Sequence, residues 1–482
     1  MIEVIIMEKS RKNLNSSRKR LHQLIAIGIV TLAILLVIIV IMVIGSKPTN
    51  GPGGKNPTES GSEIDTEELL KQRRKEMIEK ADLLAASYDY DGAIALIKEW
   101  KGYEVDEELT TKISDFETKK AACVRVDISK VTHIFYHSLV VDPERCFNPN
   151  DYQGEGNYKW MTTISEFKKI TQEMYDRGYV IVSLHDLYKY ETDENGNKKM
   201  VENDIYLPAD KKAFVLSFDD LSYYHSYDNY GFASKLVLDE NGKVINEYID
   251  ADGNVKYGLY DYIPILDQFI EEHPDASYKG AKATVALTGY NGILGYRTDE
   301  SYSFDNINNP DINKDKREWL KAHPEFDIEK ERAAAKEVAD AMKATGWTFA
   351  SHTWGHLAVG QKSLSSLKAD NERWMKNIAP LVGETNVIIF AHGEDLGKWG
   401  NYDLSNEKVK YFMSQGYDVF CNVDGSSKYL THFGGTYLRQ GRRNLDGIRF
   451  HYNLTGQQNN LSDLFDVNEI IDPDRPDYSV YQ

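Results

Sequence analysis

The sequence predicts an α/β fold, a barrel or doubly wound sheet of parallel strands, set beyond a membrane anchor and a small helical segment. Three observations carry this. From about Val124, short β-rich runs alternate with helical patterns, the rhythm of strands joined by helical crossovers. Residues 25–44 form one uninterrupted uncharged run rich in Ile, Leu and Val. Between the two, from Asp65 to about Lys120, apolar residues recur at three- and four-residue steps.

Composition sets the outer limits. The 482 residues hold 57 Lys+Arg against 75 Asp+Glu, a net charge of −18, with 41% hydrophobic and 27% charged residues. That apolar share is ample for one large core and argues against a largely disordered chain. The acidic balance leaves no surplus of cations to displace phosphate counterions, so no nucleic-acid partner is expected. Cys123, Cys146 and Cys421 are too few for a disulfide framework and include no C-x-x-C pair.

In chain order, residues 1–23 read as a basic cytoplasmic tail: Lys9, Arg11, Lys12, Arg18, Lys19 and Arg20 are opposed only by Glu3 and Glu8. Residues 24–45 read as a transmembrane helix, because some twenty helical residues at about 1.5 Å each span roughly 30 Å of hydrocarbon. A secretory signal would have a shorter apolar stretch and a small-residue cleavage site, which Gly45-Ser46-Lys47-Pro48 does not offer. The lipid bilayer is thus an expected partner, with the N-terminus inside and the rest of a single-pass chain outside.

Residues 46–64 are a Pro/Gly/Ser-rich linker. In 65–122, Leu69, Leu70, Met77, Ile78, Ala81, Leu84 and Ala85 mark one helix, Tyr88 to Gly92 a break, Ala93 to Ile97 a second helix, and 106–120 a polar third. The pattern looks like one tetratricopeptide-type hairpin. A single copy has no neighbour to stack on, so it reads as a helical spacer or docking module for an unidentified protein partner.

Strands are predicted at 133–136, 179–183, 213–218, 283–287, 348–351, 387–390 and 417–422, and helices near 163–177, 260–272, 328–345, 364–381 and 405–415. Two inserts interrupt this 124–455 domain. Within 221–258, the part from 235 carries Asp-Glu-Asn-Gly and Asp-Ala-Asp-Gly turns that read as hairpins. Residues 297–320 read as an exposed polar excursion. Neither is a calcium loop: counted from Asp311, positions six and twelve are Lys316 and Ala322, and from Asp250 the sixth is Val255 rather than glycine. Residues 456–482 read as a C-terminal tail.

The chemistry is expected at two strand ends. The apolar run from Ala213 to Phe218 ends in Asp219-Asp220, and functional groups of α/β folds collect at carboxyl ends of strands. Two adjacent carboxylates differ in environment, so one can ligate a metal while its neighbour takes a proton. The run from Thr348 ends in His352-Thr353-Trp354-Gly355-His356, and imidazoles four apart on a helical turn reach one ion. Two imidazoles and a carboxylate form a three-ligand set that leaves positions open.

Together these residues resemble the NodB-like polysaccharide deacetylases, of the carbohydrate esterase family 4 type, over roughly Val131 to Tyr452. Ser217-Phe218-Asp219-Asp220-Leu221 is similar to the family's T-F-D-D-G, and His352 to His356 to its H-[ST]-x-x-H. Ile134-Phe135-Tyr136-His137 looks like its opening strand, and Val180 to Leu187 like its next strand and helix start. The resemblance implies a distorted (β/α) barrel of that type, and an enzyme removing N-acetyl groups from a cell-envelope polysaccharide such as peptidoglycan. It implies Asp220, His352 and His356 as ligands of a divalent metal, zinc first among several transition metals, and Asp219 as general base.

The departures are also informative. Where the family's third motif carries an Arg or Tyr-Pro-Tyr-Gly element, this chain has Phe390-Ala391-His392-Gly393-Glu394-Asp395, so the Arg that would orient the base is missing there. The L-x-H of the fifth motif has no clear match, which leaves His451 or His392 as the acid. Leu221 replaces the glycine closing the first motif. Tyr223, Tyr224, Trp354 and Trp399 fall near the strand ends, where rings stack on sugars, whereas His137 and His185 read as structural. Two other readings follow: a catalytically impaired glycan-binding or scaffold protein on the same fold, and a metal-dependent amidase of a small molecule.

Overall fold

Strands buried on both faces need cover on both sides, and here a closed sheet with helices around it supplies it. The computed structural model describes residues 66–482, and the predicted tail, transmembrane helix (24–45) and linker lie outside the described residues. Among the described residues no helix is long and apolar enough to cross a membrane. The strands are β1 (Thr132–Tyr136), β2 (Tyr179–Ile181), β3 (Lys212–Asp219), β4 (Thr284–Leu287), β5 (Thr348–Ser351), β6 (Val387–Ile389), β7 (Val419–Val423) and β8 (Leu438–Asn444).

All pair in parallel, and the order β1-β3-β4-β5-β6-β7-β8-β1 closes a seven-stranded barrel. The eighth strand distorts it. β2 pairs with the first half of β3 (Tyr179↔Lys212 to Ile181↔Phe214), on the edge where β4 takes the second half (Thr284↔Ser217 to Ala286↔Asp219). β8 was not foreseen, because Leu438-Arg439-Gln440-Gly441-Arg442-Arg443-Asn444 has no apolar run.

Side chains alternate across each strand. Ala213, Val215, Ala286, Ala350, Val387, Ile389, Val419 and Leu438 share the cluster that fills the barrel, while Ile134, Tyr136, Phe214, Leu216 and Phe218 pack outward under helices. The same parity turns His133, Ser217, Asp219, Gln440 and Arg442 inward. The lumen is therefore apolar near the strand starts and becomes a hydrogen-bonded polar column towards the strand ends.

The helices used below are α1 (Thr66–Ala86), α2 (Tyr90–Lys98), α3 (Glu107–Ala122), α4 (Ile164–Asp176) and α5 (Leu364–Asn377). The expected spacer is not free-standing. Ala81, Ala93, Ile97, Leu109 and Phe116 of α1–α3 join the barrel's own core cluster. The Ser87 carbonyl accepts from Lys279 N at 2.7 Å, and the Tyr88 hydroxyl donates to the Asp275 carbonyl at 2.8 Å. Both partners precede β4, so α1–α3 pack under the end where the strands begin.

The first insert is a three-stranded antiparallel sheet (Ala233–Leu238, Val244–Ile249, Val255–Gly258). Its turns open on Asp239 and Asp250, whose side chains accept from backbone N–H groups two and four residues on, with Gly242 and Gly253 at positive φ. The second insert is exposed along much of its length, at Phe304, Asp305, Asn308, Pro310 and Asp311 among others, but not throughout. Arg297, Asp299 and Lys316 are buried because their charges are satisfied locally: Lys316 Nζ is 3.6 Å from Asp299, and Arg297 donates to the Tyr223 carbonyl at 2.9 Å.

Nor do residues 456–482 trail away. Arg475, almost fully buried, donates from Nε and Nη2 to both oxygens of Glu166 (2.6 and 2.7 Å) and to the carbonyls of Tyr158 and Met161.

Candidate active site

The strand ends surround a cavity of about 480 Å3 whose wall includes Phe135, His137, Asp219, Asp220, His352 and His356, together with Trp160, Met161, Tyr227, Phe390, His392 and Asp446. Asp219 is the last residue of β3 and points inward with Ser217. Asp220 follows at φ +64°, a left-handed conformation that asparagine and aspartate tolerate better than most residues, and this turn swings its carboxylate into the same cavity.

The structure brings Asp220, His352 and His356 together: one donor atom from each lies within 4.8 Å of the others. His352 Nε2 is 3.8 Å from Asp220 Oδ1, and His356 Nε2 is 3.6 Å from Oδ2. These gaps exceed hydrogen-bond length and approximate the roughly 3.4 Å separating ligand atoms about 2.1 Å from a shared tetrahedral ion. His352 Nδ1 donates to the Ile389 carbonyl at 2.7 Å, which can only accept, so Nε2 carries the free lone pair.

The protonation states suit a cation as well. Burial, opposed by Asp220, pushes His356 down to about 4. Burial would raise Asp220, but the neighbouring histidines His356, His352 and His137 hold it below its ordinary value. At neutral pH His356 is thus a neutral imidazole beside an ionised carboxylate, the forms a metal requires. The donor set fits a divalent ion.

The two imidazoles do not lie on a helical turn. Thr353 and His356 both have positive φ (62° and 53°), and His392 beside them has 59°. Asp370 of α5 pins the bend, accepting from Trp354 N and Gly355 N at 2.7 Å each. Strained residues gathered at one cavity are a common mark of a functional site.

An arginine does hold Asp219, from an unexpected place. Arg442 of β8 grips Asp219 with both terminal guanidinium nitrogens, Nη1 to Oδ1 at 2.7 Å and Nη2 to Oδ2 at 2.9 Å, and also donates to Ser217 Oγ at 3.2 Å. Burial alone would raise the Asp219 pKa. The Arg442 charge, with His352 behind it, wins and holds the carboxyl well below the usual carboxylate range. Chain parity dictates the pair: Leu438, Gln440 and Arg442 face the lumen together, and Gln440 likewise meets His133 at 3.0 Å.

Of the two histidines expected as acid, only His392 reaches the cavity, where its Nε2 donates to the His356 carbonyl at 3.0 Å. His451 does not. The helix Gly447–Leu454 carries it away from the strand ends, and its ring centroid lies 4.8 Å from that of Tyr478 in the C-terminal segment. His137, read from sequence as structural, does line the cavity, and its Nδ1 is buried without a hydrogen-bond partner among the described residues. Its signal was position, since inward parity from His133 and Phe135 continues to residue 137.

None of the four aromatics expected as stacking surfaces lines this cavity. Tyr223 donates to Asp261 at 2.8 Å, Tyr224 to Asp220 at 2.6 Å and Trp354 to Asp299 at 2.8 Å, and Trp399 lies beside Arg439. Trp160, Tyr227, Phe135 and Phe390 take that place.

No protein-family model matches the chain, and no curated protein matches it. Among solved structures it is similar to the Streptococcus pyogenes deacetylase PplD in complex with acetate, with 15% identity and a TM-score of 0.30, over 66% of this chain and 92% of that one. It is also similar to a polysaccharide deacetylase from Bacillus cereus, with 12% identity and a TM-score of 0.30, over 66% of this chain and 65% of that one.

Proposed function

We propose that this chain is a divalent-metal-dependent deacetylase that removes N-acetyl groups from a cell-envelope polysaccharide such as peptidoglycan, anchored by residues 24–45 with its barrel outside the membrane. One observation carries the reading: adjacent carboxylates at the end of β3 have opposite surroundings. Asp220 faces two imidazoles, and Asp219 is locked to a guanidinium.

Asp220, His352 and His356 would hold the ion, zinc being the first choice for two imidazole nitrogens and one carboxylate oxygen. When bound, the ion supplies Lewis acidity toward an acyl oxygen and makes water more acidic. Asp219, kept ionised and aimed by Arg442, accepts the proton of the attacking water. The departing amine nitrogen needs a proton in return. His137 is assigned that step, because it lines the cavity with a buried ring nitrogen that no other group engages among the described residues, whereas His392 Nε2 is occupied by a carbonyl.

The test uses the zinc-loaded full chain and an N-acetylglucosamine oligomer. Acetate release with free amines appearing on the sugar, stopped by chelation, is expected. Bound metal with no acetate from any such oligomer would favour a glycan-binding protein, and turnover confined to small N-acyl amides would favour the small-molecule amidase. Protease added to intact cells should remove the barrel; a protected barrel would overturn the anchoring.

A further inference from the structure

The first residues of the 221–258 insert do more than lead the chain away from β3. Backbone turns at Asp220 and Tyr223, the latter at φ +46°, fold Tyr224 back over the carboxylate it follows by four residues. The Tyr224 hydroxyl donates to Asp220 Oδ1 at 2.6 Å. The Tyr224 hydroxyl oxygen also lies 2.5 Å from Thr288 Oγ1, which is 3.0 Å from Ser222 Oγ. Thr288 and Ser222 are fully buried, and Tyr224 nearly so.

The proton direction along this chain is fixed. An ionised carboxylate has no proton to give, so Tyr224 must donate to Asp220 and can then only accept from Thr288. The phenol ring cannot wander, because it stacks on Tyr290 with centroids 5.1 Å apart and an interplanar angle of 13°. Oδ1 is therefore engaged, while Oδ2, the oxygen facing His356 Nε2, receives no hydrogen bond among the described residues.

We propose that Tyr224, backed by Thr288 and Ser222, is a positioning residue for the cation site: its hydroxyl fixes the plane of Asp220 so that Oδ2 is presented to the ion alongside the two imidazoles. The proposal rests on the metal-site reading above. Hydrogen bonds of this kind to a ligating carboxylate typically change metal affinity by about 10–100-fold.

The experiment measures zinc affinity of the full chain by competition with a chromogenic chelator. Tyr224→Phe removes only the hydroxyl and keeps the ring stack, so an affinity loss of about tenfold or more is expected, with the melting temperature in excess chelator unchanged. Thr288→Val should lose affinity as well, and the double variant should be no worse than Tyr224→Phe, because both act through one hydroxyl. Wild-type affinity in Tyr224→Phe, or losses that simply add in the double variant, would overturn the proposal. A wild-type chain that binds no divalent ion would instead refute the metal site itself.

Discussion

Asp219 and Asp220 are chemically identical and adjacent, yet their neighbours divide the labour. Substituting Asp219 by Asn removes the proposed base and keeps the shape, so zinc should remain bound while acetate release falls by about 10²–10⁴-fold. An active Asn variant would remove Asp219 from that role. Beneath it, His133 lies fully buried between Gln440 and Ser217, and burial, with Arg442 nearby, pushes its pKa well below 6.5. The folded pKa lies below the unfolded one, so this contribution to stability is complete above about pH 6.5 and is lost as pH falls. Urea midpoints should drop between about pH 7 and pH 5, and less steeply in His133→Asn; equal slopes would exclude His133 as the source. At this scale the sequence showed Asp219, Asp220, His352 and His356 because each pair is contiguous or closely spaced. It hid Arg442, whose partner lies 223 residues away and whose place is set by strand parity alone.

Among the elements, the predicted strands were legible through their apolar runs, and most predicted helices through their period. β8 was not, because it trades apolar residues for buried arginines that find acids: Arg442 meets Asp219, Arg439 meets Asp395 and Arg443 meets Asp463. A buried strand can be polar when each charge has a partner. The bend after β5 misled for another reason. HxxxH satisfies a helix as well as a turn, and only the clamp from Asp370 decides between them. Asp370→Ala should release the backbone of Trp354 and Gly355 and weaken zinc binding about tenfold, as measured by the same chelator competition, because His356 loses its fixed position. Undiminished affinity would show that the bend holds without the clamp.

Over the whole molecule, segments that read as accessories turn out to complete the barrel. α1–α3 cover its lower end and share its core. The C-terminal segment grips Glu166 of α4 and the carbonyls of Tyr158 and Met161 through Arg475. Trp160 and Met161 line the cavity, so this grip holds one of its walls. Arg475→Ala leaves Glu166 buried and unpaired, and should cost about 3–5 kcal/mol in urea unfolding; a loss under about 1 kcal/mol, the value of an exposed pair, would show that the segment is merely draped over the surface. Sequence patterns could not reveal these dockings, because they join distant residues with no periodic signal, Tyr88 to Asp275 across 187 positions and Arg475 to Glu166 across 309.

The account stands on Asp220, His352 and His356 acting on one cation. Its most direct test is the zinc content of the purified full chain after saturation and removal of loose metal, in wild type and in His352→Ala with its circular-dichroism spectrum intact. One ion per wild-type chain and none in the variant is the predicted result; equal zinc in both would contradict it.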